Sequence, residues 1–529
     1  MSNKFWKSFS IVLHVLFDDI EIHKNVFTEA NKSGDVELVI LLIEFTKFDV
    51  IVDDNDANCW TYYNSYIAVI DRLLHEDRSK VDPSANNNLA IRWASQNGHI
   101  AVVDRLLQDR RVDPSAANNS AIRMASQNGH IAVVDRLLQD GTGRVDPSAD
   151  NNYAICWASR NGHIAVVDRL LQDPIVDPSA DNNFAIRVAS QFGHITIVDR
   201  LLQDRTGRVD PSADNNIAIR HASSRGHITI VDRLLQDGTG RVDPSAVNNS
   251  AICWASQFGH IAVVDRLLQD RRVDPSVDNN YAICWASRNG HIAVVDRLLQ
   301  EKKRVDPSAD NNYAICWASR NGHIAVVDRL LQEKKRVDPS ADNNFAIRLA
   351  SHNGHIAVVD RLLQDRRVDP SDYDNYAIRL ASHNGHITIV DRLLQDRTGR
   401  VDPSVDDNFA IRQASSRGHI AIVNRLLQNR RVDPTVDNNN AIRWASQLGH
   451  VAVVDRLLQD RRVDPSALNN YAIRYASENG HNAVVDRLLR DGRVDRSADR
   501  NYIFRLASEN GHVDVVEKQS CISWFLKLF

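Results

Sequence analysis

A chain of 529 residues has room for three or four ordinary domains, so the first question is whether it divides into separate cores or repeats one unit. Its 64 Lys and Arg are set against 68 Asp and Glu, a net charge of -4 that leaves no basic excess to attract a phosphate backbone and excludes nucleic acid as the expected partner. Cys59, Cys156, Cys253, Cys284, Cys316 and Cys521 make no disulfide framework and no C-x-x-C pair, which fits a reducing, cytoplasmic setting, and no apolar run reaches the roughly 18 residues that would span a bilayer.

In chain order, residues 1–26 come first and are read as an N-terminal segment or cap. Lys4 and Lys7 precede an apolar stretch ending at Phe17, but His14 interrupts it and Asp18-Asp19 stand where a cleavage site belongs, so it is not read as a signal peptide. Residues 27–75 hold two degenerate units, one with Gly34-Asp35-Val36 and one ending in Ile67 to Leu74. Residues 76–518 form a regular array in which an Ala-Ile dipeptide recurs from Ala90 to Ala472 at intervals of 31 to 33 residues, with a further unit at Tyr502-Ile503-Phe504-Arg505. That makes about 16 units. Residues 519–529, with Ile522, Phe525 and Leu528, are an apolar tail or cap.

One unit shows the physics. Asn87-Asn88 is placed to cap a first helix, and Asn97-Gly98 to end it, since glycine takes the left-handed conformation that a helix stop requires. A second helix starts at once, with Ile100, Val103, Leu106 and Leu107 on one stripe and Val102 widening it. Burial on more than one side needs neighbouring copies, which predicts an all-α helical repeat solenoid. Val112-Asp113-Pro114-Ser115 is a turn that joins one unit to the next, and all length variation sits just ahead of it, at a loop tip.

Ala94, Gly98, His99, Ile100, Val102, Val103, Leu106 and Leu107, with their counterparts in later units, resemble the ankyrin repeat over roughly residues 27–518. Leu89-Ala90-Ile91-Arg92 stands where that family has T-P-L-H, and Val112-Asp113-Pro114 where it has its turn, so the family's β-hairpin finger is expected to be clipped or absent. The resemblance implies a protein-interaction scaffold, monomeric, with a protein partner on its concave face. The alternative is an adaptor or peripheral membrane-associated protein that docks through a terminal segment while the array captures a client.

The chemistry-bearing residues are nearly all copies of repeat positions, so no catalytic, cofactor-binding or metal-ligating role is assigned and no enzyme is expected. The Gly-His histidines are read as opening the second helix and hydrogen-bonding their own turn. The Asp-Arg pairs are read as the solvated edge of that helix, and the cysteines as free thiols. Gly141-Thr142-Gly143-Arg144 follows a helix rather than preceding one, unlike a phosphate loop. Two rows remain for a partner. One carries Trp93, Trp157, Trp254, Trp285, Trp317 and Trp444, expected to face outward or edge onto the neighbouring unit. The other, just before Gly-His, carries Phe192, Arg225, Phe258 and Leu448. The resemblance places both on the recognition surface, where aromatic residues are the usual hot spots.

Overall fold

The computed structural model describes residues 37, 82–204, 207–396 and 399–494. The terminal segments, all but one residue of the degenerate units, and the unit at Tyr502 lie outside the described residues. Among the described residues there are 26 helices in thirteen pairs and no strand, as expected for an ankyrin-type solenoid that lacks the hairpin finger. The chain divides into two compact units. The first comprises residues 1–255 and 266–273, and the second residues 256–265 and 274–529.

Within each unit the repeats are built alike. In the first, Ala85–Gln96 and Ile100–Leu107 form one pair, followed by Ala116–Gln127 and Ile131–Leu138. In the second, Val277–Arg288 pairs with Ile292–Gln300 and Ala309–Arg320 with Ile324–Gln332. First helices pack on first helices of adjacent repeats, and second helices on second helices. The core is therefore a double row: Ala90, Ile91 and Ala94 from one helix, Val102, Val103 and Leu106 from the other. Ile100 and Leu107, expected on the buried stripe, are only half-buried. The second helix meets its partner helix and two neighbours but keeps one face in water, and that face takes the outer ends of the stripe.

The turn before each first helix departs from expectation. Asn86, Asn87 and Asn88 all have positive φ, and equivalent triplets recur in thirteen repeats with φ between 49° and 62°. The backbone makes one left-handed turn before the right-handed helix begins. Such a turn costs ordinary L-residues about 1–2 kcal/mol each, and asparagine and aspartate tolerate it best, which explains the run of Asn and Asp at these positions. The Asn pair does not cap its own helix. Asn88 is buried, and its Oδ1 accepts the backbone N–H of Asp113 in the next repeat at 2.7 Å. Asp338 and Asn312 repeat this bond at 2.7 Å in the second unit. Asp113 in turn accepts from the Ser115 N–H and hydroxyl at 3.0 and 2.6 Å, which closes the Asp-Pro-Ser turn.

The Gly-His step also works between repeats. His130 Nε2 lies 3.0 Å from the carbonyl of Gln96 in the preceding repeat, and His323 Nε2 lies 3.0 Å from that of Arg288. A carbonyl only accepts, so Nε2 carries the proton. The expectation that these rings bond their own turn is corrected, and glycine explains the difference. Gly98 has φ +76°, and a Cβ there would come within 2.5 Å of His130 Nδ1. Glycine both ends one helix and leaves room for the next repeat's imidazole.

Candidate partner-binding surface

The second helices spend their charges between repeats. Arg136 Nε meets Asp104 of the preceding repeat at 2.5 Å, and Arg329 meets Asp296 at 2.5 Å. The expected exposed edge is thus a ladder joining one repeat to the next. Its members are half-exposed, so each rung contributes about 0–1 kcal/mol. The loop arginines reach back as well: Arg272 donates to the Val242 carbonyl at 2.9 Å, and Arg144 of a longer loop to that of Val112 at 3.2 Å. In that loop the Thr142 hydroxyl bonds Asp140.

Cys156, Cys253, Cys284 and Cys316 are free and buried, as expected. Burial pushes the thiols of Cys156, Cys284 and Cys316 up to about 12, so they are not thiolates at neutral pH. Among the described residues no group of three or more His, Cys, Asp and Glu side chains could hold a metal ion. His352 and His386 are engaged with neighbouring polar groups: His352 Nδ1 accepts from the Asn384 amide at 3.0 Å, and His386 Nε2 donates to the His352 carbonyl at 3.0 Å.

The tryptophan row lies on the first helices, offset from the Ala-Ile core face. Trp93, Trp157, Trp254, Trp285 and Trp317 are half-buried, and Trp444 is exposed. A tyrosine one turn earlier packs against several of them, Tyr153 stacked on Trp157 at 5.3 Å and Tyr281 tilted against Trp285 at 5.2 Å between centroids. The arginine one turn later covers the other side. In the first unit Arg160 sits 4.4 Å from the Trp157 ring and 5.3 Å from that of Phe192 in the next repeat, while Trp254, which is followed by Gln257 instead, has Arg220 of the preceding repeat 4.9 Å from its ring. In the second unit Arg288 lies between Trp285, 4.3 Å away, and Trp317, 4.5 Å away, and Arg320 caps Trp317 at 4.4 Å. Part of the Trp254 and Trp317 indoles is thus spent on packing between repeats.

The row before Gly-His is the more open of the two. Phe192, Phe258 and Leu448 are 43%, 52% and 46% exposed, and Arg225 is exposed too. Where asparagine fills this position it mostly bonds the preceding repeat, as Asn321 does through its amide to the Arg288 carbonyl at 2.7 Å, although Asn353 bonds the Leu349 carbonyl of its own helix at 2.9 Å. Phe, Leu or Arg gives up that bond and stands in water. Leu448 and Trp444 share one end of the same helix, the Leu448 N–H donating to the Trp444 carbonyl at 3.0 Å. Selecting aromatic residues from the sequence overlooks the guanidiniums between them. An i, i+3 spacing shows the indole on one side of Arg288, and the indole on its other side belongs to a different repeat.

An ankyrin-repeat model spanning three copies matches residues 91–181, 122–215, 186–279, 283–374 and 378–469. The chain belongs to the ankyrin repeat family. Proteins of this family generally mediate protein–protein interaction and are typically non-catalytic scaffolds. None of the curated proteins compared with the chain matches it. Among the described residues no helix of this ankyrin array is long and apolar enough to cross a membrane.

Proposed function

We propose that this ankyrin array is a cytoplasmic interaction scaffold that binds a protein partner along the first-helix edge carrying the tryptophan row and the residues before Gly-His. One observation carries the reading: of eight exposed large apolar side chains among the described residues, Phe192, Phe258, Trp444 and Leu448 belong to these two rows. A folded domain gains nothing by holding phenylalanine and tryptophan in water at equivalent places in several repeats, whereas a partner that covers them gains their burial. Resemblance to the family makes this edge the concave side. The buried, un-ionised thiols support a reducing compartment.

The test is affinity purification with the full chain to identify a partner, followed by affinity measurement on two variants. One carries Trp254→Ala, Trp285→Ala and Trp317→Ala; the other carries Phe192→Ser, Phe258→Ser and Leu448→Ser. Each hot spot in contact costs about 2 kcal/mol of binding, so either variant weakens the complex by orders of magnitude. Lost stability with unchanged affinity in the tryptophan variant assigns that row to packing. Unchanged affinity in both overturns the surface.

A further inference from the structure

The Gly-His edge of the second unit carries a pattern of charge that the chain as a whole lacks. In two successive repeats the residue three after the tryptophan position is Arg288 and Arg320, in the next two it is His352 and His383, whose rings accept from Asn384 and Arg417 and so add no charge, and in the fifth Arg417 stands one residue later. No Asp or Glu occupies either position before Gly-His in these five repeats, although acidic residues exceed basic ones overall, 68 to 64. Among the described residues no carboxylate forms a salt bridge with Arg288, Arg320 or Arg417, in contrast to the Asp-Arg ladder, where Arg297 and Arg329 each meet a carboxylate at 2.5 Å. The cations are held in place by uncharged groups. Arg288 is sandwiched between two indoles, and Arg417 donates to His383 Nε2 at 3.0 Å while His383 Nδ1 faces Gln413 Oε1 at 3.1 Å. Arg320, His352 and Arg417 are exposed.

We propose that this edge binds an extended acidic segment of a protein partner, with carboxylates at every third residue; the proposal rests on the edge being the partner surface. The period follows from the geometry. Arg288 touches the indoles of two adjacent repeats at 4.3 and 4.5 Å, and helices packed as these are lie about 8–10 Å apart, so the edge repeats at about that interval. A polyproline-type strand advances ~3.1 Å per residue with three residues per turn, so every third side chain falls on one side at nearly the same interval. A guanidinium stacked on an indole spends its faces, and the N–H edge, which Arg288 shares with the Tyr313 hydroxyl, meets a carboxylate in the geometry in which arginine binds most specifically. Nucleic acid is the less suited occupant because the rest of the surface is net acidic and would repel it.

The test uses the full chain and fluorescence anisotropy with fluorescein-labelled peptides. One peptide has five Glu-Pro-Pro triplets, one has the same residues with the glutamates in a single run, and one has Gln in place of Glu. The triplet peptide is expected to bind at least about tenfold more tightly than the run, and the Gln peptide not at all. Arg288→Gln with Arg320→Gln weakens triplet binding by about tenfold or more, and Arg288→Lys with Arg320→Lys falls in between. Arg366→Gln with Arg461→Gln removes the same charge from exposed loop tips and leaves binding within about twofold. Circular dichroism establishes that each variant is folded, and the lysine pair keeps the charge should the glutamine pair unfold. Equal binding of the triplet and run peptides, or no loss in the Arg288 and Arg320 variants, overturns the proposal, as does tighter binding of an oligothymidylate. The failures are separable: if the apolar-row variants abolish binding of the purified partner while the arginine pair leaves it unchanged, the acidic segment falls and the surface stands.

Discussion

In the second unit Arg297 and Arg329, on second helices, each close on an aspartate of the preceding repeat at 2.5 Å, whereas Arg288 and Arg320, on first helices, meet indoles and no carboxylate. The same residue type serves two ends because its neighbours differ. On the second-helix side nearly every described repeat brings the same Asp-Arg pair, Asn424 being the exception, so the chain satisfies most of those charges itself. On the Gly-His edge the occupant changes from repeat to repeat, among Asn, Phe, Leu and Arg: asparagine bonds within the chain, as Asn321 does to the Arg288 carbonyl, whereas Phe192, Phe258 and Leu448 stand exposed. Repetition builds the stack, and variation marks the edge proposed to meet a partner.

If the interior bonds and not the open edge hold the stack, substitutions should separate in size accordingly. The largest effect belongs to the core: Leu330→Ala removes a fully buried side chain between repeats and is expected to cost about 2–5 kcal/mol in urea unfolding. A loss below the cost of an exposed rung would break the contrast. Next comes the staple. Asn312→Ala leaves the Asp338 N–H without its acceptor, an expected cost of about 1–3 kcal/mol, and Asn312→Asp should restore part of it by keeping the oxygen.

A smaller effect runs the other way. Val247 is half-exposed and holds φ +53° as first residue of the left-handed turn, where a β-branched side chain is poorly suited. Val247→Asn should raise stability by about 1 kcal/mol, and a loss instead would show that the turn is not left-handed there. The smallest effect is that of acid. Burial holds His323 and His419 below the ordinary imidazole range, against a backbone hydrogen bond that raises them, and nearby cations lower them further. Their folded values lie below the unfolded one, so this contribution is complete above about pH 6.5 and is lost as pH falls through the folded values. Melting temperature should fall gently below pH 6.5, and His323→Gln should flatten that slope. A rise on acidification would contradict the burial that disfavours the charged imidazole.

The repeat period, the helix pair, the Ala-Ile core and the free thiols were legible because each is written within one unit: hydrophobic spacing, a glycine stop and cysteines too far apart to bridge. The partners of Asn88, His130, Arg136 and Arg288 were not. Each acts on a group about one repeat away, 25 residues for Asn88 and Asp113 and 34 for His130 and Gln96, so a single unit shows a donor or acceptor without its mate. For the same reason the Asn pair reads as a cap and the Gly-His imidazole as a local bond. By itself the sequence determined that copies must stack, since no unit could bury its own stripe. Only the tertiary structure decided which polar groups the stacking consumes and which it leaves open, because that depends on where one repeat's side chains meet the next repeat's backbone.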